Sequence, residues 1–197
     1  ELAASIQEHG IIQPLTVRKL QSGYYQIIAG ERRWRAARMA GLDQVPAIVI
    51  EADDRKAMEL AMIENLQRED LNPIEEAEGY RQLMEQYNLT QEETAQRVGK
   101  SRSVVANALR LLNLCPPVRA MVEDGRLSNG HARTILPLSP ALQEKAADAI
   151  LKSDLSVRQT ELLVKKLTAE EKEKPAVTTG GLEVNYAEEA AKALGTH

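Results

Sequence analysis

The sequence has no phenylalanine and only one tryptophan among its 197 residues, so we expect leucine, isoleucine, valine, alanine and methionine to build its core. The single cysteine, Cys115, excludes an intramolecular disulfide and a cysteine-rich zinc site. No apolar run approaches the ~20 residues that a membrane-spanning helix needs, and no signal peptide is visible. We therefore expect a cytoplasmic protein that works in a reducing compartment and not at a membrane.

An excess of positive charge is also absent, because 25 lysines and arginines face 29 aspartates and glutamates and the net charge is −4. The overall composition therefore does not indicate a nucleic-acid-binding protein. The local charge is different, since residues 97–110 contain Arg97, Lys100, Arg102 and Arg110 and no acidic residue. A short basic segment in an acidic chain predicts one localised anion-binding surface.

Helix and strand signals alternate over the first fifty residues. The patterns predict a helix over residues 1–9, an arginine-rich helix that ends near Gly41, and strands over residues 15–18, 24–28 and 45–50. Together these elements predict a small α/β unit.

From about residue 54 the pattern is helical. Helix starts are marked by Asn72-Pro73-Ile74-Glu75, by Thr90 with Glu93, and by Ser156 with Gln159. The sequence thus predicts an α+β fold, with one domain over residues 1–70 and an all-α domain over residues 71–168. We assign residues 169–197 to a linker and the start of a further domain, and we expect the sequence to be a piece of a longer protein.

Residues 29–38, Ala-Gly-Glu-Arg-Arg-Trp-Arg-Ala-Ala-Arg, join a predicted strand to a predicted helix. Gly30 allows a tight turn and a close approach of a ligand, and the helix start presents free N–H groups to an anion. Helical spacing places Arg33 on the face of Ala36 and Ala37, where a buried guanidinium needs a counter-charge, either a protein carboxylate or a bound phosphate. The alternative is a solvated basic helix on the surface. The segment predicts a corner that binds a polyanion.

A second polar cluster lies at the end of the helix predicted over residues 54–66. Glu64 and Asn65 offer hard oxygens of the kind that Mg²⁺ prefers, and Arg68 offers a fork for phosphate. Spacings of three and four residues bring these side chains close together on a helix. The grouping suits a metal-bound triphosphate. The alternative is an ordinary salt bridge at a helix end.

A helix-turn-helix is predicted over residues 91–110. Ala95 is small where the two helices cross, Gly99 makes the tight turn, and Val105 fills the core between the helices. The start of the second helix carries side chains suited to base edges in a major groove, with basic residues for phosphates around it. The alternative is a helical hairpin without a DNA ligand. The predicted DNA-binding residues are Gln91, Lys100, Ser101, Arg102, Ser103, Asn107 and Arg110.

A second basic helix start, Ser128-Asn-Gly-His-Ala-Arg133, follows the helix-turn-helix. Its residues Gly130, His131 and Arg133 predict an additional DNA contact. A lone histidine such as His131 is more often a capping or core residue, and that alternative stays open here.

Together, Gly30-Glu-Arg-Arg-Trp-Arg-Ala, Glu64-Asn-Leu-Gln-Arg-Glu-Asp-Leu, the helix-turn-helix and Gly130-His-Ala-Arg resemble the ParB family of bacterial chromosome-partition proteins. The match covers about residues 1–167. The resemblance implies a ParB/sulfiredoxin-like nucleotide domain that binds CTP with Mg²⁺ and hydrolyses CTP slowly, followed by a domain that binds centromere-like parS DNA. It further implies a homodimer that closes into a sliding clamp, a nucleoid location, and a ParA-type ATPase and SMC/condensin as partners.

The family pattern also implies roles for single residues. Gly30, Glu31, Arg32 and Arg33 would hold the phosphates, and Gln13 would line the base pocket. Glu64 and Asn65 would coordinate Mg²⁺ while Arg68 contacts the phosphates, and Glu31 and Glu64 would support hydrolysis. Arg102 and Gly130 match positions concerned with the choice of DNA site.

The chain departs from the family pattern in lacking the upstream Pro-Arg segment, the basic N-terminal peptide that engages the ATPase, and most of the C-terminal dimerisation domain. Two alternatives remain: a nucleoid-occlusion relative with another DNA site, and a helix-turn-helix transcription regulator without nucleotide switching. The Gly-Glu-Arg-Arg segment is also similar to that of sulfiredoxin. That enzyme needs a cysteine beside its arginine corner, whereas Cys115 follows the helix-turn-helix.

Overall fold

The structure, a computed structural model, describes residues 2–68 and 70–173. Its three-stranded sheet consists of β1 (Leu15–Lys19), β2 (Tyr25–Ala29) and β3 (Ala47–Val49), in the order β2-β1-β3. Strands β1 and β2 form an antiparallel hairpin, while β1 and β3 are parallel. Parallel neighbours need a crossover connection, and a helix provides it here.

Three helices surround this sheet: α1 (Leu2–His9), α2 (Glu31–Met39) and α3 (Asp54–Leu66). Helix α2 leads from β2 to β3 and so forms part of the connection between the parallel strands β1 and β3. Its buried Ala36 and Ala37 pack against Ile6 of α1. Small side chains let these two helices approach closely.

The start of α3 is tied to the sheet by a buried arginine that the sequence analysis missed. Arg18 of β1 donates to Gln26 Oε1 at 2.8 Å, to the Ala52 carbonyl at 3.2 Å, and to Asp54. Because an unpaired buried charge is costly, these acceptors fix the position of α3 relative to the sheet.

The remainder of the described chain is helical. Helices α4 and α5 begin with the predicted capping boxes, in which Asn72 pairs with Glu75 and Thr90 pairs with Glu93. The predicted α+β fold is therefore confirmed. The helices are α4 (Pro73–Tyr87), α5 (Gln91–Val98), α6 (Arg102–Leu111), α7 (Pro116–Glu123), α8 (Asn129–Ile135), α9 (Pro140–Ser153) and α10 (Val157–Glu173).

The core differs from the expected aliphatic one because it contains two tyrosines. Tyr80 and Tyr87 are buried around the helix-turn-helix. Each hydroxyl has an acceptor: Tyr80 donates to Glu76 Oε1 at 2.5 Å, and Tyr87 donates to the Arg55 carbonyl at 3.3 Å. A satisfied hydroxyl removes most of the cost of burying a tyrosine.

Two boundaries also differ from expectation. Strand β3 is shorter than the predicted 45–50, and α10 continues to Glu173, beyond the predicted end of the helical domain at residue 168. The rest of the predicted linker and the start of a further domain lie outside the described residues. Within residues 2–68 and 70–173, every helix is too short or too polar to cross a membrane.

Candidate functional site

The turn between β2 and α2 requires a glycine. Gly30 is the N-cap of α2 and has a left-handed backbone with φ of 97°. A Cβ at this position would lie 2.7 Å from Leu15 Cδ2 and 3.2 Å from Arg33 Nη2. Both the conformation and the lack of space therefore exclude a side chain, and the backbone is left open to a ligand.

Arg33 turns toward the interior, as the alanine spacing predicts, and within the described residues its side chain hydrogen-bonds main-chain carbonyls. Its Nη1 donates to the backbone carbonyls of Gln13 and Pro14, in the latter case at 2.8 Å. The counter-charge was expected to be a carboxylate or a phosphate. Carbonyls carry only partial negative charge, so they orient the guanidinium without neutralising it.

The two polar clusters of the sequence meet at one cavity of about 470 Å³. Residues 30–33 form one side, and Glu64, Asn65 and Arg68 form the other, with Leu2 also in the wall. This volume is in the range of small-ligand pockets. Gln13 is the exception among the predicted ligands, because its side chain is exposed and does not line the cavity.

The position of Arg68 differs from the helical one expected. Helix α3 ends at Leu66, so Arg68 lies beyond it and does not pair with Glu64. Arg68 instead donates to Asp70 through Nε at 2.9 Å and Nη2 at 2.7 Å, and its Nη1 lies 3.4 Å from Asn65 Oδ1. Asp70 is a site residue that the sequence analysis missed, although an arginine and an aspartate two residues apart in the same motif were a usable signal.

Pairing shifts the pKa values of both Arg68 and Asp70. The hydrogen bond from Arg68 lowers the pKa of Asp70, and the charge of Arg32 lowers it further. The same hydrogen bond raises the pKa of Arg68. Both groups therefore stay charged at neutral pH, and Asp70 competes with any phosphate for the Arg68 fork.

The two carboxylates of the site have different surroundings. Glu31 accepts from Arg35 through Nε at 3.1 Å and Nη2 at 2.6 Å. Glu64 makes no ion pair with another residue of the described chain, and it is exposed at the cavity next to Asn65. Glu64 is thus the freer carboxylate of the two.

The donor chemistry fits Mg²⁺ bound together with a phosphate ligand. Among residues 2–68 and 70–173, no cluster of three or more histidine, cysteine or acidic side chains could hold a metal ion alone. Mg²⁺ usually takes one or two protein oxygens and completes its shell with water and substrate phosphates. Glu64 and Asn65 supply two such oxygens.

The helix-turn-helix is formed by α5 and α6, with Gly99 at φ of 70° between them. Ser101 caps α6, and its Oγ lies 2.9 Å from Ser103 Oγ. Of the predicted DNA-binding residues in this motif, Gln91 and Asn107 are half-buried, and the others are exposed. The exposed set consists of Lys100, Ser101, Arg102, Ser103 and Arg110.

Arg97 is distinct from the rest of the basic segment. Its Nη1 lies 2.8 Å from Oε1 of Glu59, a buried carboxylate on α3 that also pairs with Lys56 at 3.0 Å. Arg97 is therefore largely neutralised within the protein.

At the second basic helix start, the structure favours the capping role for His131. Its Nδ1 lies 2.8 Å from Oγ of Ser128, the N-cap of α8, and its buried Nε2 has no hydrogen-bond partner within the described residues. A Cβ on Gly130 would lie 3.1 Å from Val157 Cγ2, so Gly130 sits where α8 meets α10. Arg133 is exposed.

Comparison with known proteins gives two family matches. The ParB N-terminal domain family model matches residues 1–66, and the ParB HTH domain family model matches residues 69–169. A probable chromosome-partitioning protein ParB of Vibrio cholerae is 52% identical over 166 residues, which are 84% of this chain and 57% of the relative. The chain thus spans less than two thirds of that relative's length.

Two solved structures are similar in sequence. The C-terminally truncated ParB of Caulobacter crescentus complexed to the centromeric parS site is 46% identical with a TM-score of 0.75, and covers 83% of this chain and 87% of that chain. A truncated Caulobacter crescentus ParB complexed with CTP-gamma-S is 50% identical and covers 73% of this chain and 82% of that chain. Its TM-score is 0.35.

Proposed function

This chain belongs to the ParB family, and on that premise we propose that it is a parS-binding protein of bacterial chromosome segregation that CTP gates as a sliding clamp. The observation that carries the nucleotide part is the shared cavity of residues 30–33 with Glu64, Asn65 and Arg68. A transcription regulator without a nucleotide needs no such cavity. The cytidine base is proposed from the family resemblance, because the side chains of the cavity indicate only that it binds an anion and a cation.

In this proposal the α2 corner holds the phosphates. The backbone N–H groups at the start of α2 point toward an anion, and the helix dipole favours negative charge there. Arg33 is oriented in advance by the Gln13 and Pro14 carbonyls, so it loses little freedom on binding. Arg32 adds a second cation from the same turn.

The opposite wall holds the metal. Glu64 and Asn65 would coordinate Mg²⁺, which neutralises phosphate oxygens when bound. Arg68 turns from Asp70 toward the phosphates or shares its five donors between the two. The proposed slow CTP hydrolysis depends on a carboxylate that can orient water, and Glu64 suits this role better than Glu31 because Glu31 is engaged by Arg35.

For DNA, we propose that the start of α6 enters the major groove. Arg102 would contact base edges, Ser101, Ser103 and Asn107 would assist it, and Lys100 and Arg110 would contact phosphates. The Caulobacter crescentus relative of TM-score 0.75 was solved on parS. We propose Gln91, Gly130 and Arg133 as further contacts, and His131 as the residue that sets the α8 cap beside them.

The whole-protein properties follow from the same premise. We propose a homodimer whose nucleotide domains engage when CTP binds, a nucleoid location, and a ParA-type ATPase and SMC/condensin as partners.

Titration of radiolabelled CTP, ATP, GTP and UTP with Mg²⁺ tests the proposal. Each titration is run without DNA, with a parS duplex, and with a scrambled duplex of the same length. We expect saturable binding of CTP alone among the four, strengthened by parS and not by the scrambled duplex. Binding of parS without binding of any nucleotide would instead indicate a simple helix-turn-helix regulator.

A further inference from the structure

Leu66 is buried, whereas the residues on either side of it, Asn65 and Gln67, are exposed. It is the last residue of α3, and it is buried within the cluster formed by α4, α5 and α6. Its neighbour Asn65 lines the nucleotide cavity, as does Arg68 two residues later. The end of α3 therefore has one side in the cavity and the other in the helix-turn-helix core.

The side chain of Leu66 packs against Gly79, in the middle of α4. A Cβ on Gly79 would lie 2.3 Å from Leu66 Cδ2 and 3.1 Å from Leu66 Cγ. These distances are too short for any side chain unless the Leu66 side chain or one of the helices shifts. Glycine weakens a helix interior relative to alanine, so its presence here needs a packing reason, and the contact with Leu66 provides one.

A further side of the α3 end borders a second cavity and is not closely packed. A second cavity of about 480 Å³ separates Leu66 and Arg68 from Gly99 and Lys100 at the turn of the helix-turn-helix. Arg68 lines both cavities. The end of α3 is thus closely packed where Leu66 contacts Gly79, and it borders a cavity where it faces Gly99 and Lys100.

We propose that Leu66, seated on Gly79, is the positioning contact that sets Asn65 and Arg68 at the nucleotide cavity. The inference rests on the proposed function, because it concerns residues that hold the phosphates and Mg²⁺. Neither Leu66 nor Gly79 lines that cavity. Their effect on nucleotide binding therefore acts through the placement of the α3 end.

Affinity for radiolabelled CTP with Mg²⁺, measured on Leu66→Ala, Gly79→Ala and the double variant, tests this contact. Gly79→Ala inserts a methyl group into Leu66, and we expect a loss of affinity of roughly tenfold or more, since a small displacement of binding groups is costly. Leu66→Ala removes the support, and we expect a smaller loss. The double variant removes the clashing atoms, and we expect it to bind more tightly than Gly79→Ala. Gln82→Ala, an exposed change on the same helix, is the matched control and should bind like wild type.

The outcomes separate the two proposals. If wild type binds no CTP, the proposed function fails before the contact is in question. If wild type binds CTP, wild-type affinity in Leu66→Ala or in a folded Gly79→Ala refutes the contact. A double variant that binds CTP no more tightly than Gly79→Ala also refutes it. If Gly79→Ala does not fold, as judged by its thermal transition, the double variant is compared with Leu66→Ala. Equal affinity of those two supports the contact, and weaker binding of the double variant overturns it.

Discussion

Among the described residues, Arg33 is held by main-chain carbonyls and not by an acidic side chain. Hydrogen bonds that involve a charged group contribute about 1.5–3 kcal/mol each, so the Gln13 and Pro14 carbonyls are strong enough to fix one rotamer. The inward direction of Arg33 could be predicted from the alanine spacing. Its acceptors could not, because any residue type presents the same carbonyl group. At this scale the sequence predicts which side chain matters better than it predicts what the side chain contacts.

Glu64→Gln tests the proposed role of the free carboxylate. The amide keeps the size and one oxygen ligand but loses the charge, so we expect CTP turnover to fall by roughly 100-fold, the lower range for loss of a general base. Affinity for CTP should fall much less. Phosphate release and CTP titration measure the two effects, with Glu85→Gln on the exposed face of α4 as control. Turnover at the wild-type rate would make Glu64 a structural residue.

Arg102→Ala tests the reading of DNA bases by α6. We expect a loss of about 1–3 kcal/mol in binding to parS, with little change for a scrambled duplex, because a bidentate contact to a base is lost. Fluorescence anisotropy at one fixed salt concentration measures both duplexes. Lys145→Ala, which removes one exposed positive charge from α9, is the control. An unchanged ratio between the two duplexes would remove Arg102 from the base-reading set.

Among the elements, those with local signals could be predicted best. The starts of α4 and α5 could be identified because a capping box lies within four residues of sequence. The bounds predicted for α3, residues 54–66, also match the structure, but the partners of the residues at its end could not be predicted. The burial of Leu66 in a neighbouring core and the Arg68–Asp70 pair lie at this end, and both depend on tertiary structure.

The capping box of α5 predicts a pH-dependent contribution to stability. The backbone N–H of Thr90 lowers the pKa of Glu93, with help from the Thr90 hydroxyl. A carboxylate whose pKa is lowered by folding stabilises the protein above its unfolded pKa, and this contribution is lost as the pH falls through the folded pKa. We therefore expect Glu93→Gln to lower the free energy of unfolding near neutral pH and to match wild type in acid.

Urea unfolding of wild type and Glu93→Gln, at about pH 7 and at about pH 3, measures this difference, since an ordinary glutamate titrates near pH 4.3. Glu85→Gln, an exposed change on α4, is measured in parallel as the control for loss of one carboxylate. A difference between wild type and Glu93→Gln that is the same at both pH values would contradict the role of the charged cap.

In the whole described molecule, the domain that contains the sheet meets the helix-turn-helix along α3. Glu59 of α3 is buried between Lys56 and Arg97 of α5, and Leu66 enters the core next to α4. Glu59 is buried while Lys56 and Arg97 remain partly exposed, and a buried carboxylate needs such partners, so this contact helps to fix α5 against α3. The sequence predicts both units but not this contact, because Arg97 belongs to the basic segment for which the sequence predicts a bound anion and not a partner within the chain.

The central claim is that the arginine corner binds a nucleotide while the helix-turn-helix binds parS, and paired titrations of CTP and parS on Arg33→Ala test it most directly. Arg38→Ala is the control, because it removes one charge from the same helix at a side chain that stacks on Trp34, outside the cavity. We predict that Arg33→Ala loses CTP binding and keeps its initial affinity for parS, while Arg38→Ala keeps both. Equal CTP affinity of wild type and Arg33→Ala would contradict the account.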